Sequence, residues 1–200
     1  MHKIIALSGA QGQGKSTVLS SLKEEGEATV DLKTSRSILN DWGYTLTEVN
    51  GYIPLKIKFQ NTLFNLHYTS LDSINQDYSG PVFVERSFAD IFVYALVSVG
   101  PFNEYSNWLN EYYEKCKEAQ RYHFYEVVYL TGREYTPEDD GTRSTNVHFS
   151  SMVDELIYKY TEMFANDESP FIALDSNDHK ERVEILKDGA DLYRSQKEYK

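Results

Sequence analysis

The stretch that decides the fold lies at residues 6–17 and reads ALSGAQGQGKST. Residues 9–16 fit the pattern G-x-x-x-x-G-K-[ST] without a mismatch, directly after a short apolar run. In this pattern glycines let backbone N–H groups turn inward around a phosphate, while Lys15 adds a positive charge and Ser16 a hydroxyl ligand for Mg²⁺. A glycine-rich turn without a ligand is the alternative. We favour a site for a nucleoside triphosphate, formed by Gly9, Ala10, Gln11, Gly12, Gln13, Gly14, Lys15, Ser16 and Thr17.

Five short apolar runs alternate with helical patterns along the chain. In the helical patterns, apolar side chains recur on one face, as they do from Ile53 to Leu71. Strands that alternate with helices form βαβ units with right-handed crossovers. The sequence therefore predicts a single α/β domain over residues 1–200, with a mostly parallel sheet of about five strands and helices on both faces. The predicted strands are residues 3–7, 28–32, 82–85, 127–130 and 171–174.

The composition is that of an ordinary soluble protein, with 40% hydrophobic and 26% charged residues in 200. The formal net charge is −11, from 20 basic and 31 acidic residues. This excess argues against non-specific adhesion to DNA, RNA or anionic membranes, but it leaves room for a local basic pocket. A single cysteine, Cys116, cannot form an internal disulfide, and no apolar run approaches transmembrane length. We therefore expect a cytoplasmic protein that does not bind membranes.

The end of the third predicted strand carries an acid followed by an arginine. In a parallel sheet the site lies beyond the carboxyl ends of the strands, so polar residues that follow a strand are candidates. Glu85 can hold Mg²⁺ through water or accept the proton of an attacking hydroxyl, and Arg86 can clamp a phosphate or orient an acceptor. Asp90, one helical turn later, can pair with Arg86 or reach the acceptor. A plain surface Glu–Arg pair at a strand end is the alternative.

The segment between the fourth strand and the next helix, approximately residues 131–147, is polar and charged and contains Pro137 and Gly141. Such a composition predicts a mobile lid. Arg133 and Arg143 lie within it. We expect them to close over a triphosphate and to neutralise charge as the phosphoryl group moves, as an arginine finger does.

The remaining candidates rest on weaker signals. Asp31, after the second strand, can serve as a base or as an acid at the Mg²⁺ site. Arg36 can hold a phosphate or carboxylate of an acceptor. For both residues the alternative is a solvated charge at the start of a helix. Gln60 lies on a mostly apolar helix face, where its amide needs a nucleobase edge or a backbone group as partner. After the fifth strand, Asp175 and Asn177 lie where adenine usually rests in this topology, or they form an ordinary N-cap.

The phosphate-binding loop at residues 9–16 is known as a P-loop, and it also occurs in GTPase switches and in motor ATPases. The further motifs that mark these two classes are missing from this sequence. A GTPase switch needs D-x-x-G just after the third strand and N-K-x-D for guanine, yet D-x-x-G occurs only at residues 77–80, before that strand, and N-K-x-D is absent. A motor ATPase of the AAA type needs paired acids at the end of a Walker B strand and a further helical domain, and neither is visible. Both interpretations are therefore weakened.

Several segments in order resemble a known family. After the P-loop come DLKTSRSILNDWG at residues 31–43, VERSFADIFVYA at 84–95, EDDGTRS at 138–144 and LDSNDHKERV at 174–183. Together they resemble the compact P-loop kinases and ATPases grouped with the ribosylnicotinamide kinase domain of NadR. The resemblance covers most of the chain and implies a P-loop kinase fold with a lid.

The Glu85-Arg86-Ser87 segment is also similar to the E-R-S motif of the deoxyribonucleoside kinases. In that family the acid and the arginine serve the Mg²⁺ region of the donor and the acceptor, and a glutamine on a helix similar to the one around Gln60 reads the base. The E-P motif of that family is missing after the second strand, where Asp31 stands instead. Some virus-encoded members of the wider group are similar to kinases of 5-hydroxymethyl pyrimidines within DNA, which implies DNA as a second acceptor class.

The leading hypothesis is an ATP- and Mg²⁺-dependent phosphotransferase that acts on a nucleoside, a nucleotide or a related small molecule. The expected catalytic residues are Lys15, Asp31, Glu85, Arg86 and Arg143. Either Asp31 or Glu85 is the base, and Ser16 joins Glu85 at the metal. The alternatives are a kinase of a modified base in DNA, which the net charge disfavours, and a non-catalytic nucleotide-binding regulatory protein. The identity of the acceptor, ATP against GTP as donor, and a monomeric or homodimeric state stay open.

Overall fold

A five-stranded sheet forms the centre of the computed structural model, which describes residues 3–100, 103–131 and 146–198. The strand order is β2-β3-β1-β4-β5, and every neighbouring pair is parallel. This arrangement confirms the α/β fold with a parallel sheet that the alternating patterns predict. The strands are β1 (Ile4–Ser8), β2 (Thr29–Val30), β3 (Val82–Glu85), β4 (Phe124–Thr131) and β5 (Phe171–Asp175).

Helices connect the strands and cover both faces of the sheet. The 25-residue α4 carries much of the apolar surface of one face. A short 3-10 helix, Asn103–Tyr105, precedes α6. The helices are α1 (Lys15–Glu24), α2 (Ser35–Trp42), α3 (Leu46–Asn50), α4 (Ile53–Asp77), α5 (Phe88–Val99), α6 (Ser106–His123), α7 (Val147–Phe164) and α8 (His179–Glu198).

Alternate residues of β1 enter two separate apolar cores, because successive side chains of a strand point to opposite faces of a sheet. Ile4 and Ala6 pack with residues of α4, α5, α6 and α7. Ile5 and Leu7 pack with residues of α1 and α8 on the other face. The first core is rich in aromatic rings that gather around Phe88, which gives many of the aromatic residues a packing role. The sheet is thus fixed between two helical layers.

The position of β1 determines where the site lies. β1 pairs with β3 on one side and β4 on the other, so the strand order reverses there. In open parallel sheets, ligands bind at such a switch point, beyond the carboxyl ends of the strands. The register pairs Leu7 with Glu85 and Ser8 with Tyr129, so the ends of β3 and β4 flank the loop that follows β1.

Two strands differ in length from the prediction by more than one residue. β2 has two residues in place of the predicted 28–32, because it is an edge strand that pairs only with β3. β4 has eight residues and begins before the predicted 127–130, because it pairs on both sides, with β1 and β5.

Within residues 3–100, 103–131 and 146–198, no helix combines the length and apolar character needed to cross a membrane.

Candidate active site

Left-handed backbone at three glycines shapes the loop between β1 and α1. Gly9, Gly12 and Gly14 have φ angles of 131°, 87° and 84°, which residues with a Cβ rarely adopt. A Cβ on Gly9 would also approach the carbonyl oxygen of Leu130 to 3.1 Å. α1 begins at Lys15, and its N-cap Gly14 has no side chain to satisfy the N–H groups of the first turn. Those N–H groups are suited to bind an anion.

Lys15 is buried, with 3% of its surface exposed, and it folds back onto its own loop. Its Nζ donates hydrogen bonds to the carbonyl oxygens of Gly9 and Ala10, at 2.8 and 2.7 Å. Burial, and after it the positive charge of Arg86, lowers the pKa of Lys15 to about 8, although nearby carboxylates oppose the shift. A phosphate in the loop would favour the ammonium form again.

Ser16 and Glu85 meet across the gap between α1 and the end of β3. The Ser16 hydroxyl donates to Glu85 Oε2 over 2.7 Å. A hydroxyl and a carboxylate are oxygen ligands of the kind that Mg²⁺ takes, with phosphate oxygens and water completing its shell. No cluster of three or more His, Cys, Asp or Glu side chains suited to a metal occurs in the part of the chain that the structure describes. The two residues therefore fit a Mg²⁺ ion that is shared with a phosphate ligand.

Asp90 is fully buried and joins the beginning of the P-loop to the end of β3. Its carboxylate accepts hydrogen bonds from the Ser8 hydroxyl at 2.7 Å and the Gly9 N–H at 3.3 Å. It also accepts from the N–H and the hydroxyl of Ser87, at 2.9 and 2.8 Å. The sequence predicts that Asp90 either pairs with Arg86 or reaches an acceptor. In the structure its carboxylate accepts from internal donors, because Asp90 is the N3 partner of Ser87 in the capping box of α5, and its Oδ1 lies 4.0 Å from Arg86 Nη1.

Arg86 has a φ of 78°, the one positive φ of a non-glycine residue in the described ranges. Its guanidinium lies 5.1 Å from the centre of the Tyr94 ring, and Nη1 lies 4.0 Å from Asp90 Oδ1. Burial opposes the charge, but Tyr94 and the neighbouring carboxylates outweigh it and raise the pKa of Arg86 above its ordinary value. The side chain is 34% exposed, whereas Nη1 is buried and has no hydrogen-bond partner among the described residues. A phosphate oxygen at this edge would satisfy that donor.

His67 of α4 supports Arg86 from the side of the core. Its Nε2 lies 3.3 Å from the carbonyl oxygen of Arg86, and its ring packs edge-on against Phe88. Burial lowers the pKa of His67 to about 3, so the imidazole is neutral, and Nε2 is the donor because a carbonyl oxygen only accepts. Sequence reasoning missed this residue, because a histidine on an apolar helix face is expected to be an ordinary core residue.

Asp154 of α7, a second residue that sequence reasoning missed, contacts the P-loop from the opposite side. It accepts hydrogen bonds from the Ala10 N–H at 3.1 Å, from the Gln13 side chain at 3.4 Å and from the Tyr129 hydroxyl. Burial, and after it the bond to Asp154, raises the pKa of Tyr129, so the phenol stays a donor. No motif surrounds Asp154, and only the crossing of α7 over the loop identifies it.

The structure has a cavity beside the P-loop and a larger one between two helices. The larger, about 550 Å³, lies between α4 and α6 and touches none of the strand ends. The smaller, about 200 Å³, borders the P-loop and is lined mostly by polar side chains. We assign the site to the second region because the phosphate-binding chemistry is there. Its lining residues are Ala10, Gln11, Gln13, Val147, Ser150, Ser151 and Asp154.

The residues expected on the acceptor side are more widely spread. Asp31 is exposed after β2 and forms no hydrogen bond or ion pair with any described residue. Arg36 is exposed on the first turn of α2. Gln60 is buried between α4 and α5, where its Nε2 donates to Ser98 Oγ at 3.4 Å and its Oε1 has no partner in the described ranges. Neither Asp31 nor Gln60 hydrogen-bonds to the P-loop there.

The turn after β5 lies at the same edge as the P-loop. Asp175 is the last residue of β5 and Asn177 lies in the turn. Both are exposed, and Asp175 accepts a hydrogen bond from Thr131 Oγ1 at 2.9 Å. The predicted lid at 131–147 falls mostly outside the described residues, and so do its two arginines, Arg133 and Arg143.

Comparison with known proteins agrees with this geometry. A family model described as an AAA domain matches residues 4–182, whereas no curated protein matches the sequence. Among solved structures, deoxyadenosine kinase from M. mycoides, with the product dCMP and a flexible dCDP bound, matches with a TM-score of 0.65 at 15% identity. The match covers 93% of this chain and 97% of the kinase chain, and it shows a shared fold.

These matches refine the resemblance drawn from the sequence. Neither of them singles out the ribosylnicotinamide kinase domain of NadR, so that part stays a prediction. The family model carries the AAA name, while the matching structure is a compact kinase, in keeping with the absence of motor signatures from the sequence. The matched residues include the P-loop, the Glu85-Arg86 strand end and the turn after β5. The chain therefore belongs to this AAA domain family of P-loop proteins and has the fold of a small P-loop kinase.

Proposed function

We propose that the protein is an ATP- and Mg²⁺-dependent phosphotransferase whose acceptor is a nucleoside, a nucleotide or a related small molecule. The observation that carries this proposal is the meeting of the P-loop, the Ser16–Glu85 hydrogen bond and the Arg86 guanidinium at one edge of the sheet. Phosphoryl transfer needs positioned phosphates, charge neutralisation and an acid–base group for the acceptor hydroxyl, and this edge offers all three.

The donor half of the site consists of the P-loop and the start of α1. In this proposal the β- and γ-phosphates of ATP bind the N–H groups there, and Lys15 exchanges the carbonyls of Gly9 and Ala10 for phosphate oxygens. Ser16 and Glu85 would hold Mg²⁺, directly and through water; when bound, the ion neutralises charge on the phosphate oxygens.

Glu85 is our candidate for the base, because it lies at the P-loop whereas Asp31 has no hydrogen bond there. Its carboxylate takes the proton of the acceptor hydroxyl while the hydroxyl oxygen bonds to the γ-phosphorus. The bond from the γ-phosphorus to the bridging oxygen breaks, and ADP leaves with that electron pair. Nη1 of Arg86 donates to an oxygen of the phosphoryl group in transfer.

A nucleoside-type acceptor is supported by fold and by unsatisfied polar groups. The deoxyadenosine kinase that shares the fold has nucleotide products bound. Gln60 stays the candidate for reading a base, because an amino group would satisfy its Oε1. Arg36, Arg133 and Arg143 stay candidates for contacts with phosphate. The net charge of −11 disfavours DNA as the acceptor, and the free, buried Cys116 suits the cytoplasmic location that we propose.

The proposal is tested by supplying γ-labelled ATP and Mg²⁺ with a panel of acceptors: nucleosides, nucleotides, ribosylnicotinamide and DNA that contains 5-hydroxymethyl pyrimidines. We expect the label on one small-molecule class and its loss in the Lys15→Ala variant. Label in polymeric DNA, with binding that weakens steeply as salt rises, would replace the small-molecule acceptor by DNA. Tight ATP binding without transfer to any acceptor would favour the non-catalytic regulatory protein.

A further inference from the structure

Arg182 of α8 is among the most buried side chains of the described chain, with 2% of its surface exposed. Its guanidinium donates to three backbone carbonyls: Nε to Ser176 O at 2.6 Å, Nη1 to Gln13 O at 2.6 Å and Nη2 to Thr131 O at 2.5 Å. These carbonyls belong to the turn after β5, to the P-loop and to the end of β4. One side chain therefore links three segments that are far apart in sequence.

Only a guanidinium can make this link in a single plane. Arginine carries five N–H donors in a rigid fork, whereas the ammonium of lysine is a single compact point on a flexible stem. Deleting the fork would leave several buried carbonyls without a donor. Arg182 is therefore placed to hold the three segments at fixed distances from one another.

The bond to Gln13 also orients the phosphate-binding side of the P-loop. A trans peptide is planar, and its N–H points away from its carbonyl oxygen. The carbonyl of Gln13 faces Arg182, so the N–H of Gly14 faces the opposite way, and it donates no hydrogen bond to any described residue. In the turn after β5, the bond to Ser176 fixes the N–H of the exposed Asn177 in the same manner.

We propose that Arg182 is a positioning residue that couples the phosphate cradle to the turn after β5, so that a nucleoside triphosphate is bound as one unit by its phosphates and its base. This inference rests on the proposed function, because it requires a nucleoside triphosphate in the P-loop with its base against residues 175–178. Arg182, although buried, would thus contribute to recognition of the nucleoside triphosphate by fixing the segments that contact it.

The first test compares ATP with inorganic tripolyphosphate, which fills the cradle without a base. Binding of both, with Mg²⁺, is measured by calorimetry for the wild type, for Arg182→Lys and for the control Arg194→Lys. Arg194 lies on the same helix but pairs with Glu27 and Asp191 at the surface. We expect the ratio of ATP to tripolyphosphate affinity to shrink about fivefold or more in Arg182→Lys, the lower end of typical coupling between sites. The ratio should not change in Arg194→Lys.

Parallel losses for both ligands in Arg182→Lys would overturn the coupling, since a purely structural role weakens the cradle without a preference for the base. A wild type that binds neither ligand would remove the proposed function, and the inference with it. A wild type that binds both, followed by an unchanged ratio in the variant, would remove the inference alone.

A second measurement needs no variant and so does not depend on the folding of Arg182→Lys. Tripolyphosphate is added to the wild type, and amide hydrogen exchange is followed at Asn177. Gly80, which precedes β3 at the amino end of the strands, is the control. We expect exchange at Asn177 to slow about fivefold or more, although the ligand does not reach it, and exchange at Gly80 to stay constant. Protection confined to the P-loop would contradict the coupling.

Discussion

At the scale of single residues, the site is defined by two positively charged side chains whose hydrogen-bond partners do not fully balance their charge. The ammonium of Lys15 hydrogen-bonds two carbonyl oxygens, and neither of them carries a full negative charge. A buried donor of Arg86 has no acceptor among the described residues. Contacts with Tyr94 and Asp90 hold the Arg86 guanidinium in place, whereas Lys15 has to exchange its two carbonyl partners when phosphate binds.

The lowered pKa of Lys15 predicts a proton uptake on binding. At about pH 9, above the pKa of about 8, Lys15 of the free protein is mostly neutral, and a bound triphosphate favours the charged form. Binding of MgATP should therefore take up close to one proton at about pH 9 and much less at about pH 7, where Lys15 is already charged. Binding enthalpies in buffers of different ionisation enthalpy measure this uptake.

The matched control is Lys15→Arg, which keeps a charge that does not titrate in this range. No extra uptake at the higher pH in the wild type, or the same uptake in Lys15→Arg, would show that another group is responsible.

A pair of isosteric variants distinguishes whether Glu85 or Asp31 is the base. If Glu85 is the base, Glu85→Gln should lower kcat about 10²-fold or more, the usual contribution of a general base, while ATP still binds. Asp31→Asn, the matched control, should leave kcat nearly unchanged because Asp31 forms no hydrogen bond or ion pair within the described residues. Steady-state kinetics of both variants, with the acceptor found in the panel and over a range of Mg²⁺ concentrations, decide the assignment. A loss that saturating Mg²⁺ restores would give Glu85 the metal role alone, and the reverse pattern between the two variants would give the role of base to Asp31.

At the scale of elements, α4 supports the strand end that carries Arg86. A non-glycine residue in the left-handed region is strained, and it persists where its surroundings hold it in place. The N–H of His67 reaches the carbonyl of this residue, and the Phe88 ring packs against the imidazole. The strand end and the helix therefore form one unit.

The buried imidazole gives this unit a dependence on pH. The pKa of His67 is about 3 in the folded protein and near 6.5 when unfolded, so the unfolded chain binds more protons between these values. Its contribution to stability is therefore present above about pH 6.5 and is lost as pH falls toward 3, with a slope of up to about 1.4 kcal/mol per pH unit. His67→Gln, whose amide also donates but does not titrate, should flatten that slope.

Urea unfolding of the wild type and of His67→Gln between about pH 7 and pH 4 measures the difference. As pH falls from about 7 to about 4, the wild type should lose more unfolding free energy than His67→Gln, because only the wild type has an imidazole that is protonated on unfolding. Identical slopes across this range would show that His67 does not titrate as its burial requires.

The elements also explain which residues sequence reasoning identified. Glu85 and Arg86 follow an apolar run, and the end of a parallel strand is a position that a pattern can locate. His67, Asp154 and Arg182 lie on helices, and each reaches the site only because its helix crosses a particular loop. Helix crossing depends on packing across the whole core, and local spacing carries no signal for it.

At the scale of the whole molecule, five parallel strands bring the P-loop, the Glu85-Arg86 strand end and the turn after β5 to one edge. Strands that alternate with helices predict this arrangement, because the carboxyl ends of parallel strands lie at the same end of a sheet. The acceptor side was less predictable. Gln60 shares an apolar helix face, yet the packing of α4 against α5 turns its amide toward Ser98.

The most direct measurement is a single-turnover reaction of γ-labelled ATP and Mg²⁺ with the acceptor identified by the panel, which follows how the label divides between acceptor and water. The proposed site predicts label mainly on the acceptor for the wild type, and transfer to the acceptor that is abolished in Lys15→Ala and about 10²-fold slower in Glu85→Gln. Label released only as inorganic phosphate, or transfer that survives Lys15→Ala at the wild-type rate, would contradict phosphoryl transfer at this edge of the sheet.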